Sequence, residues 1–155
     1  MKMSTKGRYA VMAMIDIGQH SHGEPVSLGE IALRQDISQE YLEQLFGKLR
    51  KAGLVESARG PGGGYRLARE ASAIAVSDII LAADETLRVT RCEGDAVDGC
   101  VKGARCNSHD LWSSLGRQMM NFLDSITLDD VVSNRNLALA ASIKQAKDRH
   151  VRPHT

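Results

Sequence analysis

Two short helical patterns lie just before a glycine-rich hairpin, an order of elements that few folds accommodate. Ser27 and Glu30 form a capping box, which satisfies first-turn amide groups and predicts that a helix begins there. After a turn over residues 35–37, Ser38 is placed to cap a further helix. One face of that helix is apolar at helical spacing and carries Leu42, Leu45, Phe46 and Leu49. Two helices joined by so short a turn are typical of a helix-turn-helix, and the alternative is an ordinary helical hairpin.

The segment after Gly53, which is expected to end this helix, separates the two alternatives. Residues 54–56 and 65–67 are able to form two strands, and between them runs Arg-Gly-Pro-Gly-Gly-Gly from Arg59 to Gly64. A glycine-rich tip permits positive backbone dihedral angles and close approach to a partner. The alternative is a flexible hairpin with no binding role. Because the caps, the turn chemistry and the charge distribution agree, the sequence predicts a winged helix-turn-helix, mainly α with a small β-wing.

Caps and periodicity predict most of the other elements. A first helix is expected from about Lys6 to Gln19, and Ser77 is placed to cap a short helix that ends near Leu81. Thr127 and Asp130 form another capping box, which predicts a short helix after it. The tail from Lys144 to Thr155 is basic and proline-containing, so it is expected to be disordered.

A long helix with one broad apolar face is predicted after the cysteine-containing segment. The residues of this face are Leu111, Trp112, Leu115, Met119, Phe122, Leu123 and Ile126. In a winged-helix protein such a face usually forms a homodimer. The alternative is that it packs against its own domain, because periodicity does not distinguish the two partners.

A net charge of +1 conceals a local excess of basic residues. Between Lys48 and Arg69 there are six basic residues and one acid, whereas positions 71–155 hold 10 bases and 11 acids. This asymmetry favours a polyanion as the partner, and together with the wing it indicates double-stranded DNA. For a homodimer we expect a pseudo-palindromic operator.

Three groups of residues are candidates for DNA binding. Phosphate contacts are expected from the basic side chains Lys6, Lys48, Arg50 and Lys51. Base-edge contacts are expected from Glu40, Tyr41, Glu43 and Gln44, and Ser38 and Gln39 complete the set at the start of that helix. Arg59 is expected to enter the minor groove together with Gly60, Pro61, Gly62, Gly63 and Gly64. For Glu43 the alternative is a solvent-facing residue with no role in base readout.

The three cysteines lie close together in the sequence. Seven residues separate Cys92 from Cys100, five separate Cys100 from Cys106, and two separate Cys106 from His109. Three cysteines and one histidine suit a tetrahedral zinc ion or an iron-sulfur cluster, and the long gaps favour the larger cluster. The alternative is a set of free structural cysteines.

Four stretches give the chain a specific resemblance over about residues 1–134. They are Ser-Thr-Lys-Gly-Arg-Tyr-Ala-Val from Ser4, Tyr-Leu-Glu-Gln-Leu-Phe from Tyr41, Leu-Arg-Lys-Ala-Gly-Leu-Val from Leu49, and the hairpin sequence from Arg59 to Tyr65. With them the chain resembles the IscR-type iron-sulfur cluster regulators, a winged-helix repressor family that also includes the nitric-oxide sensor NsrR and the iron regulator RirA.

The resemblance implies a homodimeric transcriptional regulator, mainly a repressor, of genes for iron-sulfur cluster assembly. It also implies a [2Fe-2S] cluster on Cys92, Cys100, Cys106 and His109. The gap between Cys92 and Cys100 is wider than in the enterobacterial members and is similar to that of RirA. The alternatives are therefore an iron- or nitric-oxide-responsive repressor of the RirA or NsrR type with a [4Fe-4S] cluster, and a repressor structured by zinc.

Other functional classes fit the sequence less well. An electron-transfer or cluster-delivery protein would not need the basic stretch, and no nucleophile-base pair or paired carboxylates indicate an enzyme. Hydrophobic residues make up 43% and charged residues 25%, as in ordered globular proteins, and no apolar run is long enough to cross a membrane. We therefore expect a cytoplasmic protein.

The expected organisation has four parts. Residues 1–84 form the winged helix-turn-helix DNA-binding domain, and 85–109 form the cluster-binding loop. Residues 110–140 contain the dimerisation helix and a C-terminal helix, and 141–155 form the disordered tail.

Overall fold

The computed structural model describes residues 3–85, Leu87, Val89 and 105–151, with side chains as far as Asp148. In these ranges the elements, in chain order, are α1 (Thr5–His20), α2 (Leu28–Gln35), α3 (Gln39–Lys51), β1 (Val55–Ala58), β2 (Gly64–Leu67), a 3₁₀ turn (Ala71–Ala73), α4 (Val76–Ala82), α5 (His109–Ser125), α6 (Leu128–Val132) and α7 (Leu137–Val151). The described ranges contain no helix that is both long and apolar enough to cross a membrane.

The helix-turn-helix has the predicted limits. The Ser27 hydroxyl accepts from the Glu30 amide at 3.2 Å, and the Glu30 carboxylate accepts from the Ser27 amide at 3.0 Å. The Ser38 hydroxyl caps α3 through the Tyr41 amide. The predicted apolar face of α3 is buried, with side chains at most 3% exposed, and it packs against α1 and α2.

The wing is an antiparallel pair in which Val55 lies opposite Leu67 and Ala58 opposite Gly64. Its second strand also pairs with the segment before α2, since Val26 and Tyr65 exchange two backbone hydrogen bonds of 2.8 Å each. A side chain at Gly64 would collide with the Val26 carbonyl, so glycine is required where the wing meets this segment. The Tyr65 ring packs on Phe46 and fixes the wing against α3, the second helix of the helix-turn-helix (the recognition helix).

A buried carboxylate joins α1 to α2. Asp16 is fully buried, and its oxygens accept from Arg34 at 2.8 and 3.0 Å and from Gln35 at 2.8 Å. Burial by itself would raise the pKa of Asp16, but the hydrogen bonds from Arg34 and Gln35 hold it below the usual 3.8. Asp16 is therefore in its charged form in the folded protein at neutral pH.

Three expectations about the C-terminal half are corrected. Ser77 does not cap α4, because that helix begins at Val76 and its first free amide, that of Ala75, donates to the Asp78 carboxylate at 3.0 Å. The reason is a short bridge between Ala75 and Thr127, which holds the backbone of Ile74 and Ala75 extended up to the helix.

The apolar face of the long helix ends earlier than predicted. Helix α5 stops at Ser125, and Ile126 has an extended backbone. The Ile126 side chain is only 2% exposed and packs against Val76, Ile80 and Ala141 of the same chain. Ile126 therefore belongs to the internal core and has no surface to offer to a second protomer.

The expected disordered tail is wrong as far as Val151. Helix α7 occupies Leu137–Val151, and Ala141 is buried in the same small core as Ile126. The Lys144 ammonium group donates to the Ser125 carbonyl at 2.6 Å and to the Asp130 carboxylate at 2.8 Å. These contacts attach α7 to the last residue of α5 and to α6, whereas 152–155 lie outside the described residues.

Candidate functional site

The exposed face of α3 is the first part of the candidate DNA interface. Gln39, Glu40, Glu43, Gln44, Arg50 and Lys51 are all exposed, and none of them is used by the buried core. Tyr41 is half-buried, because its ring makes an edge-on contact with Tyr9 of α1 at a centroid distance of 5.8 Å. The Ser38 hydroxyl is engaged as the helix cap. The polar face of α3 is thus exposed, whereas the Tyr41 ring and the Ser38 hydroxyl make contacts within the fold.

The candidate phosphate-binding lysines lie around the end of α3. Lys6 is exposed in the first turn of α1, and Lys51 is exposed at the end of α3. Lys48 differs from both, since its ammonium group lies 2.7 Å from the carboxylate of Asp84. Asp84 was not predicted from the sequence, because nothing in the chain pattern placed the end of α4 beside the recognition helix.

The wing tip combines exposed and constrained positions. Arg59, Gly60, Pro61 and Gly62 are exposed, and the two glycines have φ values of 95° and 74°. These values lie in the left-handed region, where glycine is preferred. By contrast, Gly63 and Gly64 are half-buried beneath backbone carbonyls. The tip therefore presents the Arg59 side chain, whereas Gly63 and Gly64 serve the packing of the hairpin.

The candidate metal centre lies at the start of α5. His109 is the first residue of α5 and is buried, with 5% exposure, and its amide donates to the Cys106 carbonyl at 3.2 Å. The His109 Nε2 atom lies 3.3 Å from the Ser113 hydroxyl. The Cys106 sulfur is half-buried and lies 3.6 Å from the Ser108 hydroxyl. One turn of chain therefore brings these two predicted ligands to the same helix end.

The other two predicted ligands, Cys92 and Cys100, lie outside the described residues. The described ranges contain no group of three or more side chains of the metal-binding types. Of the predicted ligand set, the structure describes Cys106 and His109.

The outer face of α5 is the candidate dimer surface. Leu111, Trp112 and Phe122 are exposed, by 62%, 39% and 38%, although they are large apolar side chains. Leu115, Met119 and Leu123 are half-buried. Leu139 and Ile143 on α7 are also exposed apolar residues and were not among the predicted dimer residues. The helical spacing of Leu137, Ala140 and Ala141 was the available signal for α7.

Comparison with known proteins gives a consistent result. The family model described as "Rrf2: Iron-dependent Transcriptional regulator" matches residues 3–134. The HTH-type transcriptional regulator IscR of Erwinia tasmaniensis is 47% identical over 154 residues, which cover 99% of this chain and 92% of the relative. The regulator of the same name from Yersinia enterocolitica is 52% identical over 137 residues, which cover 88% of this chain and 82% of the relative. These relatives are named as transcriptional regulators, a non-enzymatic role.

Solved structures agree with the sequence relatives. The chain is similar to T. potens IscR, with a TM-score of 0.70 and 44% identity over 86% of this chain and 88% of that one. It is also similar to CymR, the global cysteine regulator of B. subtilis, with a TM-score of 0.73 and 36% identity over 88% of this chain and 99% of that one. The predicted winged-helix fold is therefore confirmed.

Proposed function

The chain belongs to the Rrf2 family as a DNA-binding transcriptional regulator of the IscR type, and from this premise we propose that it senses iron-sulfur clusters through a [2Fe-2S] cluster of its own. The ligands are Cys92, Cys100, Cys106 and His109. The regulated genes are those of iron-sulfur cluster assembly, and the protein acts mainly as a repressor in the cytoplasm.

The observation that carries this proposal is the placement of Cys106 and His109 on one turn at the start of α5. The thiolate of a cysteine is the form that binds metal, and Cys106 is attached to the first residue of α5 through its carbonyl oxygen. A buried imidazole with its Nε2 atom near a hydroxyl suits a ligand whose orientation is held by a second group. The donor set of three thiolates and one imidazole fits an iron-sulfur cluster.

When bound, the cluster would join its four ligands, and this connection would depend on cluster supply and redox conditions. The chain's own residues would carry the effect of cluster binding to the DNA-binding domain. His109 begins α5, so the ligand that it provides is part of the helix that carries the candidate dimer surface. The wing and α3 lie in the domain on which that helix packs through α4. A change at the start of α5 thus has a physical route to the spacing of two recognition helices.

We place the homodimer contact on α5. Leu111, Trp112 and Phe122 form an apolar face that keeps 38–62% of each side chain exposed, and burial of such a face against a second copy is favourable. Leu115, Met119 and Leu123 border that face. A two-fold dimer places two α3 helices against one pseudo-palindromic operator.

The experiment that tests the cofactor is anaerobic purification followed by visible absorption and by iron, sulfide and zinc analysis. Broad charge-transfer bands with about two iron and two sulfide per monomer are the expected result. About four iron and four sulfide per monomer would instead identify a [4Fe-4S] cluster, the alternative of the RirA or NsrR type. A colourless protein with stoichiometric zinc would contradict the sensing function and leave a DNA-binding protein with a structural metal.

The wing supplies a separate prediction for DNA binding. Replacing Arg59 by alanine is expected to weaken operator binding about 10-fold, because an arginine in a narrow minor groove contributes both charge and shape recognition. The loss should be largest for sites with A·T-rich flanks. Fluorescence anisotropy with labelled duplexes measures it.

The matched control is Arg117→Ala, which removes the same charge from an exposed position on α5 whose guanidinium donates to the Ser114 hydroxyl at 3.2 Å. Equal losses in both variants would show that only net charge matters and would contradict a minor-groove role for Arg59.

A further inference from the structure

The ion pair between Lys48 and Asp84 places an acid inside the basic part of the DNA interface. Lys48 lies in the last turn of α3, among the residues that face phosphate in the proposed complex. The Asp84 carboxylate lies 2.7 Å from the Lys48 ammonium group. Both side chains are partly exposed, by 37% for Lys48 and 71% for Asp84, so the pair is accessible to a competing anion.

The charges around Asp84 are those that a DNA phosphate would meet. Its pKa is held below the usual 3.8, first by the hydrogen bond from Lys48 and then by the positive charges of Lys48, Lys6 and Lys51. All three lysines are predicted phosphate contacts. The Asp84 carboxylate therefore lies in the positive potential of three lysines that are proposed to contact DNA phosphates.

The backbone supports this position of the carboxylate. Asp84 follows α4 with φ at 57°, in the left-handed region that aspartate and asparagine tolerate better than most residues. The hydroxyl of Ser4, the cap of α1, donates to the carboxylate of the next residue, Glu85, and the Glu85 side chain lies beside Gly7. The chain on both sides of the Asp84 side chain is thus attached to α4 and α1.

We infer that Asp84 is an internal competitor of DNA phosphate, a positioning residue that holds Lys48 away from the backbone until the duplex displaces it. The partner is the phosphodiester backbone of DNA, read through its charge alone. This inference rests on the DNA-binding part of the proposed function. Exposed ion pairs are weak, so the competition tunes the affinity and does not block binding.

Asp84→Asn is the variant that tests this role. Asparagine keeps the size of the side chain and tolerates the same backbone conformation, so the fold is expected to remain intact. Each Lys48 that is released from its ion pair with residue 84 should make binding to a mixed-sequence duplex about 2- to 5-fold tighter. The slope of log affinity against log salt should steepen by about 0.9 for each lysine that gains a phosphate. Anisotropy titrations of the full chain over a range of salt concentrations measure both quantities.

Two controls separate this role from a general effect of charge. Asp148→Asn on α7 makes the same change in net charge at an exposed position in another part of the chain. Lys48→Met removes the main partner of Asp84 and leaves only the weaker interactions with Lys6 and Lys51, so adding Asp84→Asn to it should change the slope much less. A change in slope for Asp84→Asn alone that is clearly larger than in the other two comparisons is the expected pattern.

Several outcomes would overturn the inference. Equal affinity and slope in Asp84→Asn and Asp148→Asn would leave Asp84 without a specific role, as would an undiminished effect in the Lys48→Met background. Weaker binding by Asp84→Asn would mean that the carboxylate directs Lys48 toward DNA. If wild-type protein shows no salt-dependent binding to any duplex, the DNA-binding function itself fails, and this result is distinguishable from the others.

Discussion

Replacing Arg34 by methionine is expected to lower the free energy of unfolding by roughly 3 kcal/mol. Methionine keeps a long side chain with high helix propensity, so the main loss is the partner of Asp16. That carboxylate is fully buried and would retain only the Gln35 amide, at 2.8 Å, and His20, whose ring nitrogen lies 3.6 Å away. An uncompensated buried charge is strongly destabilising, whereas the same change at an exposed pair costs little.

The pH dependence of this variant gives an independent readout. In the wild type the folded-state pKa of Asp16 is lowered, so its contribution is present above pH of about 4 and is lost as the pH falls through the folded pKa. Without Arg34, burial dominates and raises that pKa, so protonation relieves the penalty. The stability gap between wild type and variant should therefore narrow on acidification.

Urea titrations at fixed protomer concentration and several pH values measure the gap. Arg66→Met is the matched control, because Arg66 pairs with Glu56 at 3.3 Å on the wing with about half of each side chain exposed. Its expected effect is below about 0.5 kcal/mol. Equal destabilisation by the two substitutions, or a gap that widens on acidification, would contradict a buried charge interaction at Asp16.

The sequence predicted the DNA-binding half well because its signals are local. The capping box at Ser27 and the cap at Ser38 involve residues three apart, and the glycines of the hairpin report backbone angles directly. The buried face of α3 follows from helical spacing alone. In each case one short stretch of chain contains all the information that the element needs.

The features that escaped prediction depend on contacts between distant parts of the chain. The start of α4 is fixed by a bridge from Ala75 to Thr127, and a serine two residues later was the stronger local signal. Helix α7 is held by Lys144, whose partners Ser125 and Asp130 precede it by 19 and 14 positions. Basic composition made that segment resemble a tail, although its lysine is a structural donor.

The same distinction applies to the candidate site. Residue type and spacing selected Cys106 and His109, because metal binding restricts the side chains that can take part. The spacing did not predict that Asp84 would meet Lys48, since this contact depends on how α4 packs beside α3. Charged pairs formed by packing leave no pattern in one sequence.

Replacing Cys106 by alanine is expected to abolish cluster binding and to separate DNA binding from sensing. Loss of one thiolate leaves three ligands, and iron and visible absorption should fall below about a tenth of the wild-type values. The recognition helix and wing are distant in sequence from Cys106, whose sulfur lies 3.6 Å from the Ser108 hydroxyl at the start of α5. The variant should therefore still bind duplex DNA, with an affinity that no longer depends on iron and sulfide supply.

The histidine ligand is tested by exchange, because His109 is buried and alanine there would leave a cavity. His109→Cys offers a fourth thiolate and should retain a visible cluster, with a reduction potential lowered by about 100 mV or more, since histidine ligation raises the potential. His20→Ala is the control for histidine loss, because that side chain is exposed and contacts Asp16 of α1. An unchanged potential in His109→Cys would exclude His109 from the ligand set. Full iron content in Cys106→Ala would contradict the proposed cluster site, because it would show that the cluster does not need the Cys106 thiolate at the start of α5.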